Sequence, residues 1–273
     1  MKERVISAFV VMGVIGSIVI LSLFFPICID IFVALVCSAA VFEFCKAVKT
    51  LKIIPISFPS IAFAVIYPML VSFGVSYIMC YVYMIIMLSV IVFCHTKISF
   101  KDFAYTFSMT VIITISLTSI VLLKQVDLTH STMFLVMSMA TPWLGDAGAY
   151  FVGVLAGKHK LCPNISPKKT IEGAVGGVII CIITSCTALL IFELVIYRDM
   201  KINYINAALI SFIGALLSII GDLSFSVIKR SYAVKDYGDL IPGHGGILDR
   251  FDSVIFFAPF LYIISGYLPI IVK

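Results

Sequence analysis

Residues 173–192, GAVGGVIICIITSCTALLIF, form a stretch without a single charged residue. A transmembrane helix needs about 20 predominantly apolar residues, because each residue adds about 1.5 Å to a helix that must cross about 30 Å of hydrocarbon. The stretch is long enough to do so, and we expect it to form the centre of a membrane span over residues 171–197. This segment alone favours a membrane protein.

Apolar runs of similar length occur along the whole chain, separated by charged residues, Pro or Gly. They predict an all-α, polytopic helical bundle of about nine transmembrane helices. The composition agrees, since 62% of the residues are hydrophobic and 12% are charged, whereas an ordinary soluble domain has about 25% charged residues. A soluble globular enzyme, a disordered chain and a disulfide-rich secreted domain are therefore disfavoured. The predicted spans are 5–25, 27–45, 54–73, 75–94, 103–123, 131–156, 171–197, 204–229 and 247–271.

Positive charges are distributed unevenly between the loops on the two sides of these spans. Of the 19 Lys and Arg residues, only Lys124, Arg198, Lys201 and Lys273 fall on the side opposite the N-terminus. Because basic residues concentrate in cytoplasmic loops, the N-terminus is predicted to be cytoplasmic. We expect residues 1–273 to form a single membrane domain, with mainly apolar spans over 1–130 and the candidate site within 131–273.

Polar residues near membrane depth are concentrated in the C-terminal half. Asp146 lies in the sixth predicted span, about 16 Å from its end if that segment is helical. A carboxylate at this depth costs several kcal/mol unless it faces a cavity, a cation or another partner, so a functional role is the better expectation. A structural salt bridge is the alternative. In the N-terminal half, the role of Glu43 stays open.

The loop before the seventh span contains the sequence SPKKT at residues 166–170. Ser166, Lys168, Lys169 and Thr170 lie where the first amides of a helix are also unpaired, which suits a multiply charged phosphate. Contact with anionic lipid headgroups is the alternative for the lysines of this loop. Thr170 can also serve simply as the N-cap of the helix.

The eighth span carries an acid, a hydroxyl and a cation at helical spacing. Asp222, Ser226 and Lys229 share one face that runs towards the cytoplasmic surface, and Arg230 follows them. This pattern indicates the wall of a hydrated site, whereas a single Lys at the end of a span would only reach for the membrane surface.

A glycine-rich loop, residues 235–247, leads into the ninth span. Its backbone amides could bind phosphate, and His244 is interpreted equally well as a phosphate contact or as an ordinary loop residue. Asp249 and Asp252 are three residues apart and share a helix face. Together with Asp222 they could ligate a hard cation such as Mg²⁺ through oxygen.

Two segments together resemble the signature of phosphatidate cytidylyltransferases, also called CDP-diacylglycerol synthases. They are SVIKR at residues 226–230 and KDYGDLIPGHGGILDRFD at residues 235–252. SPKKTIEG at residues 166–173 and the stretch from Asp146 to Lys158 extend the resemblance over most of the C-terminal half, whereas the N-terminal half is similar only in being apolar. Two positions depart from the pattern: Ala147, where relatives often have a hydroxyl residue, and Ile171, where many have Trp.

This resemblance implies transfer of CMP from CTP to phosphatidate, which gives CDP-diacylglycerol and diphosphate in phospholipid biosynthesis. It implies Mg²⁺ as cofactor, membrane lipids and no nucleic acid as partners, and an active site facing the cytoplasm from the bacterial inner membrane. A second, monovalent cation such as K⁺ and a homodimer are left open. The implied catalytic residues are Asp222, Asp249, Lys229, Arg230, Lys168 and Lys169, the substrate-binding residues are Ser166, Thr170, His244, Gly245, Gly246, Arg250 and Asp146, and the metal ligands are Asp222, Asp249 and Asp252.

Two other function classes share some of these features. A secondary transporter also uses intramembrane acids and glycine-broken spans, but it usually places them near the midplane of repeated halves. No repeat is visible in this sequence, and the polar residues lie towards the cytoplasmic side. A lipid kinase would share the cationic membrane surface but would release a nucleoside diphosphate instead of diphosphate.

Overall fold

The computed structural model describes residues 2–241 and 245–272, with side chains from residue 13 onward. His244 and Gly243, which the sequence suggests for phosphate binding, lie outside the described residues. Within the described part the secondary structure is almost entirely α-helical, as expected. The helices are α1 (Lys2–Phe24), α2 (Ile27–Ala47), α3 (Ile54–Leu70), α4 (Ser76–Phe93), α5 (Phe100–Val126), α6 (Ser131–Ala156), α7 (Ile171–Ile191), α8 (Tyr204–Ser231) and α9 (Leu248–Ser265).

Each predicted span overlaps one of these helices. The ninth, predicted over 247–271, is too long, because its helix ends at Ser265 and residue 271 belongs to a short strand. Six helical segments in the described part are long and apolar enough to cross a membrane, which confirms an all-α membrane fold. The count of nine transmembrane helices and the side of the N-terminus stay predictions. Helix α9 is not one of these six segments, because its 18 residues include three charged ones, Asp249, Arg250 and Asp252. The six segments are Ile27–Ala47, Ile54–Phe73, Ser76–Phe93, Phe100–Val126, Ile171–Ile196 and Tyr204–Ser231.

Two short antiparallel strand pairs accompany the helices, a hairpin and a pairing of strands distant in sequence. Strand β1 (Lys160–Cys162) pairs with β2 (Ser166–Thr170), in the segment that the sequence analysis treated as a loop. Strand β3 (Lys201–Ile202) pairs with β4 (Ile271–Val272). The β1–β2 pair matters for the site, because a strand alternates its side chains between two faces and so separates neighbouring residues.

The chain divides into two compact units. The first unit comprises residues 1–122 and 231–251, and the second comprises residues 123–230 and 252–273. In the first unit, α2 buries Ile29, Cys37 and Phe44, and Phe63 of α3 stacks on Tyr83 of α4 with ring centroids 4.3 Å apart. The expectation of one membrane domain divided near residue 130 stays a prediction.

In the second unit, glycines allow α6 and α7 to pack backbone against backbone. A Cβ atom on Gly177 would lie 2.8 Å from the Cβ of Ala149, and one on Gly176 would lie 2.6 Å from the side chain of Val152. Small residues at helix contacts are how helices pack closely in a membrane. Gly176 and Gly177 thus serve a helix contact within the chain. The core of this unit also includes Leu123, Met133, Phe134, Met137, Leu189, Ile210, Phe257 and Leu261.

Candidate active site

The cation–carboxylate pair at the centre of the second unit is Lys169 on β2 and Asp222 on α8. The Nζ atom of Lys169 forms an ion pair with Oδ2 of Asp222, and the two side chains are 30% and 20% exposed. Both residues were candidates from the sequence, although they are 53 positions apart in it. The structure therefore joins the SPKKT motif to the polar face of the eighth span.

The structure separates the two adjacent lysines of the motif. Lys168 is exposed, whereas Lys169 is half-buried. They occupy successive positions of β2, so their side chains leave the strand on opposite faces. Sequence reasoning grouped them as one pair of phosphate-neutralising cations, and only Lys169 lies in the carboxylate cluster.

Two further carboxylates act on Lys169 electrostatically. Burial lowers the pKa of the Lys169 ammonium below its usual 10.5, Asp146 and Asp252 oppose this by raising it, and Lys229 adds to the lowering. Burial disfavours the charged form of a lysine, and nearby carboxylates favour it. Lys169 is thus surrounded by an acidic cluster, defined here as Asp146, Asp222 and Asp252.

A serine links two members of the acidic cluster. Ser253, which is fully buried on α9, donates a hydrogen bond from Oγ to Oδ2 of Asp146 on α6, at 2.7 Å. Its backbone N–H donates to Oδ1 of Asp252 at 2.8 Å. Sequence reasoning missed Ser253. The available signal was a hydroxyl residue directly after an acid at the start of a span.

The polar face predicted for α8 consists of Asp222, Ser226 and Lys229. Ser226 lies 3.5 Å from Asp222 through Oγ and Oδ1, and both Ser226 and Lys229 are buried. Arg230 donates from Nε to the carbonyl of Ile165 at 3.3 Å, which ties the end of α8 to the β1–β2 turn. This contact gives Arg230 a structural partner beside its expected role with phosphate.

Thr170 and Glu172 fix the point at which β2 becomes α7. The Gly173 amide donates to Oγ1 of Thr170 at 3.1 Å, which makes Thr170 the N-cap of α7, one of the two roles considered for it. Oε1 of Glu172 lies 2.6 Å from Nδ1 of His159, and Oε2 accepts from the Lys158 amide at 3.1 Å. Sequence reasoning gave Glu172 no role, yet it closes the base of the hairpin that carries Lys169.

A small pocket adjoins Asp146 inside the second unit. Its walls come from α6, α7 and α8. Apart from Asp146 and Ser218, its lining is mainly small or apolar, including Gly145, Gly177 and Cys181. The pocket thus offers a carboxylate, a hydroxyl and apolar walls.

In the first unit, the glycine-rich loop folds around Asp249. Oδ2 of Asp249 accepts from the amides of Tyr237 at 2.8 Å and Gly246 at 3.0 Å. Gly245 has φ +83°, a backbone conformation that favours glycine. The Gly246 amide, which the sequence suggested for nucleotide binding, therefore already has a carboxylate acceptor, and a phosphate would compete with Asp249 for it.

The remaining candidates differ in their exposure to solvent. Arg250 is exposed at the start of α9, whereas Ser166 at the start of β2 is half-buried. Glu43, whose role the sequence left open, contacts the start of α9.

In the part of the chain that the structure describes, the acidic cluster has the ligand chemistry of a magnesium site but not its arrangement. Asp146, Asp222 and Asp252 present hard carboxylate oxygens, the ligand type that Mg²⁺ uses, and they already hold one cationic group, the Lys169 ammonium. Among the described residues, no set of three or more His, Cys, Asp or Glu side chains is arranged to hold a metal ion. In the structure, the Lys169 ammonium therefore provides the positive charge beside these carboxylates.

Comparison with known proteins gives one family match and several similar proteins. Residues 2–268 match the model of the cytidylyltransferase family. A Bacillus subtilis phosphatidate cytidylyltransferase is 50% identical over 120 residues, which cover 44% of this chain and 42% of that protein. Phosphatidate cytidylyltransferases of Staphylococcus haemolyticus, 43% identical over 131 residues, and Staphylococcus aureus, 44% identical over 122 residues, are matched over 48% and 45% of both chains.

These alignments span less than half the length of the curated relatives. The family match covers nearly all of the chain. The resemblance seen in the signature residues is confirmed, and the chain belongs to the cytidylyltransferase family.

Proposed function

We propose that this protein is a phosphatidate cytidylyltransferase, which transfers CMP from CTP to phosphatidate. The family match and the names of the relatives support this reaction. The observation that carries the proposal is the ion pair between Lys169 and Asp222 within the acidic cluster. A site that must bring two anionic substrates together needs closely placed cations and metal-binding carboxylates, and this cluster supplies both kinds of group.

The reaction requires no nucleophile from the protein. A phosphate oxygen of phosphatidate forms a bond to the α-phosphorus of CTP, and the bond from that phosphorus to the bridging oxygen of the β-phosphate breaks. The electron pair leaves with diphosphate. The protein's task is to hold the two anions in line and to stabilise the charge that develops on the leaving group.

Five charged residues of the second unit have a part in this scheme. Lys169 and Lys229 neutralise phosphate oxygens from a partly dehydrated position, where an ion pair is stronger than in water. Arg230 adds a planar donor at the end of α8, and Lys168 adds a solvent-exposed charge that attracts CTP. Asp146, held by Ser253, favours the charged form of Lys169 and so opposes the effect of burial.

Asp222 and Asp252 of the acidic cluster would hold Mg²⁺ in this scheme, and Asp249 stays a third ligand that only the family resemblance implies. When bound, this ion neutralises phosphate oxygens and stabilises the leaving diphosphate. The Lys169 ammonium, which pairs with Asp222 in the structure, would neutralise a phosphate oxygen of the bound substrate. A second, monovalent cation such as K⁺ is compatible with this scheme.

We also propose the finer features of location. Nine spans with a cytoplasmic N-terminus place the SPKKT motif, the end of α8 and the glycine-rich loop on the side from which CTP arrives. The uneven distribution of Lys and Arg supports this topology and an inner-membrane location. Reporter fusions after residues 126 and 231 test it, since the first is expected outside the cytoplasm and the second inside.

The function is tested by incubating the protein in lipid nanodiscs with labelled CTP, phosphatidate and Mg²⁺. We expect a CDP-lipid and diphosphate in equal amounts, both abolished by a chelator. Release of CDP with a phosphorylated lipid would establish the lipid kinase instead. Absence of any nucleotide-dependent product from folded protein would refute enzymatic transfer and leave the transporter class.

A further inference from the structure

Glu43 is a buried carboxylate that the proposed chemistry does not use. It lies on α2 and is 2% exposed. Its Oε1 accepts from the Ile247 amide at 3.0 Å, and its Oε2 accepts from the Leu248 amide at 2.9 Å. Since α9 begins at Leu248, Glu43 satisfies amides at the N-terminus of that helix, where a negative charge is also favoured by the helix dipole.

The glycine-rich loop is shaped to admit this carboxylate. A Cβ atom on Gly238 would lie 2.3 Å from Oε1 of Glu43, and a Cβ atom on Gly246 would lie 2.3 Å from Oε2. No side chain fits at either position while Glu43 keeps its place. Next to Glu43, the ring of Phe44 packs on Tyr237 with centroids 6.2 Å apart. The loop therefore closes around Glu43 from two sides.

The same loop residues hold Asp249. The amides of Tyr237 and Gly246 donate to its Oδ2, while the next two amides, those of Ile247 and Leu248, donate to Glu43. Three consecutive amides, 246–248, are thus divided between the two carboxylates. The backbone that leads directly into Asp249 is fixed by Glu43.

We propose that Glu43 is a positioning residue, which sets the direction of the Asp249 carboxylate by fixing the start of α9. This inference rests on the proposed function for its catalytic consequence, but not for its structural one. Loss of the Glu43 contacts leaves the amides of Ile247 and Leu248 without their acceptor and frees the loop that carries Asp249. The Asp249 carboxylate then spends less time in the orientation that binds magnesium.

The main test compares wild-type protein with Glu43→Gln in nanodiscs. The Gln amide offers one oxygen in place of two, so one of the two amides loses its acceptor. We expect faster hydrogen–deuterium exchange in the peptide that covers residues 236–252. We also expect the Mg²⁺ concentration for half-maximal activity to rise about tenfold, the scale of one lost hydrogen bond to a charged acceptor. The KM for phosphatidate is expected to stay within twofold.

Asp239→Asn provides the matched control in the same loop. Asp239 pairs with Lys46 at 3.7 Å, but it is 92% exposed, and exposed ion pairs contribute little. This variant is expected to keep wild-type exchange in the loop and the wild-type response to Mg²⁺.

Gly238→Ala, with Glu43 unchanged, keeps the inference testable if Glu43→Gln folds poorly. Gly238→Ala is expected to disturb the loop because its methyl group meets the Glu43 side chain. In the Glu43→Ala background that obstacle is gone, and Gly238→Ala should add less than a twofold further change in exchange. Additive effects of the two substitutions would contradict the proposed contact.

The two proposals fail in different ways. If the wild-type protein makes no CDP-lipid, the proposed function fails, and the exchange measurements still decide the contact between Glu43 and the loop. If the wild-type protein is active but Glu43→Gln changes neither loop exchange nor the response to Mg²⁺, Glu43 is not a positioning residue.

Discussion

Replacement of Lys169 by Met removes the positive charge from the acidic cluster while keeping a side chain of similar length. A contacting ion pair at an effective dielectric constant of about 20 is worth about 4 kcal/mol. The side chains of Lys169 and Asp222 are 30% and 20% exposed, so solvent screens part of this, and we expect a destabilisation of about 2 kcal/mol. The remaining carboxylates would repel both each other and the incoming phosphates.

The expected effect on turnover is larger. Loss of one preorganised charge-stabilising donor lowers kcat by about 10²–10³-fold in enzymes of known mechanism. The assay follows label from CTP into lipid at saturating Mg²⁺, together with a thermal melting curve. Lys168→Met, one position away but on the opposite face of β2, is expected mainly to raise the KM for CTP, with kcat within about threefold of wild type.

Lys160→Met, an exposed position on the paired strand β1, controls for loss of a positive charge in the hairpin. Near-wild-type kcat in folded Lys169→Met would refute the assignment of Lys169 to the reacting phosphates. An equal loss of kcat in Lys168→Met would show that the two strand faces are not distinguished as the structure indicates.

Three further predictions follow from individual contacts. Because burial lowers the pKa of Lys169 below 10.5, the ammonium loses its charge as pH rises before pH 10.5 is reached, and activity should fall over the same range. Lys169→Arg, which stays protonated, should move that fall to higher pH in a rate–pH profile. Ser253→Ala removes the 2.7 Å hydrogen bond to Asp146 and should lower the free energy of unfolding by about 1.5–3 kcal/mol, measured by denaturant titration in detergent. Gly176→Val should overpack the contact between α6 and α7 and lower the melting temperature by several degrees, at a cost of about 1–3 kcal/mol. Gly16→Ala, whose Cβ would meet nothing within 4 Å, should leave the melting temperature unchanged. Equal melting temperatures of the two variants would contradict the packing.

Much of the helical framework is predictable because membrane insertion imposes a length rule on the sequence. Each apolar run had to be about one bilayer thick, so the spans other than the ninth could be placed within a few residues of the observed helices. The N-cap at Thr170 was also accessible, since a hydroxyl directly before a helical run is a local signal. The face shared by Asp222, Ser226 and Lys229 followed from helical periodicity alone.

The features that escaped prediction depend on contacts distant in sequence. Glu43 and Leu248 are 205 positions apart, and Ser253 lies 107 positions from Asp146, so no local pattern connects either pair. The split between Lys168 and Lys169 arises because their segment is a strand. Its pairing with β1 was not evident from a five-residue motif rich in Lys and Pro.

The central claim is that the cluster around Asp222 carries out cytidylyl transfer. The most direct measurement follows the α-phosphorus of CTP into lipid in nanodiscs, comparing wild-type protein with Asp222→Asn of equal melting temperature. The account predicts one labelled lipid per diphosphate released by the wild-type protein and loss of that transfer in the variant. Near-wild-type transfer by folded Asp222→Asn at low Mg²⁺ would contradict it.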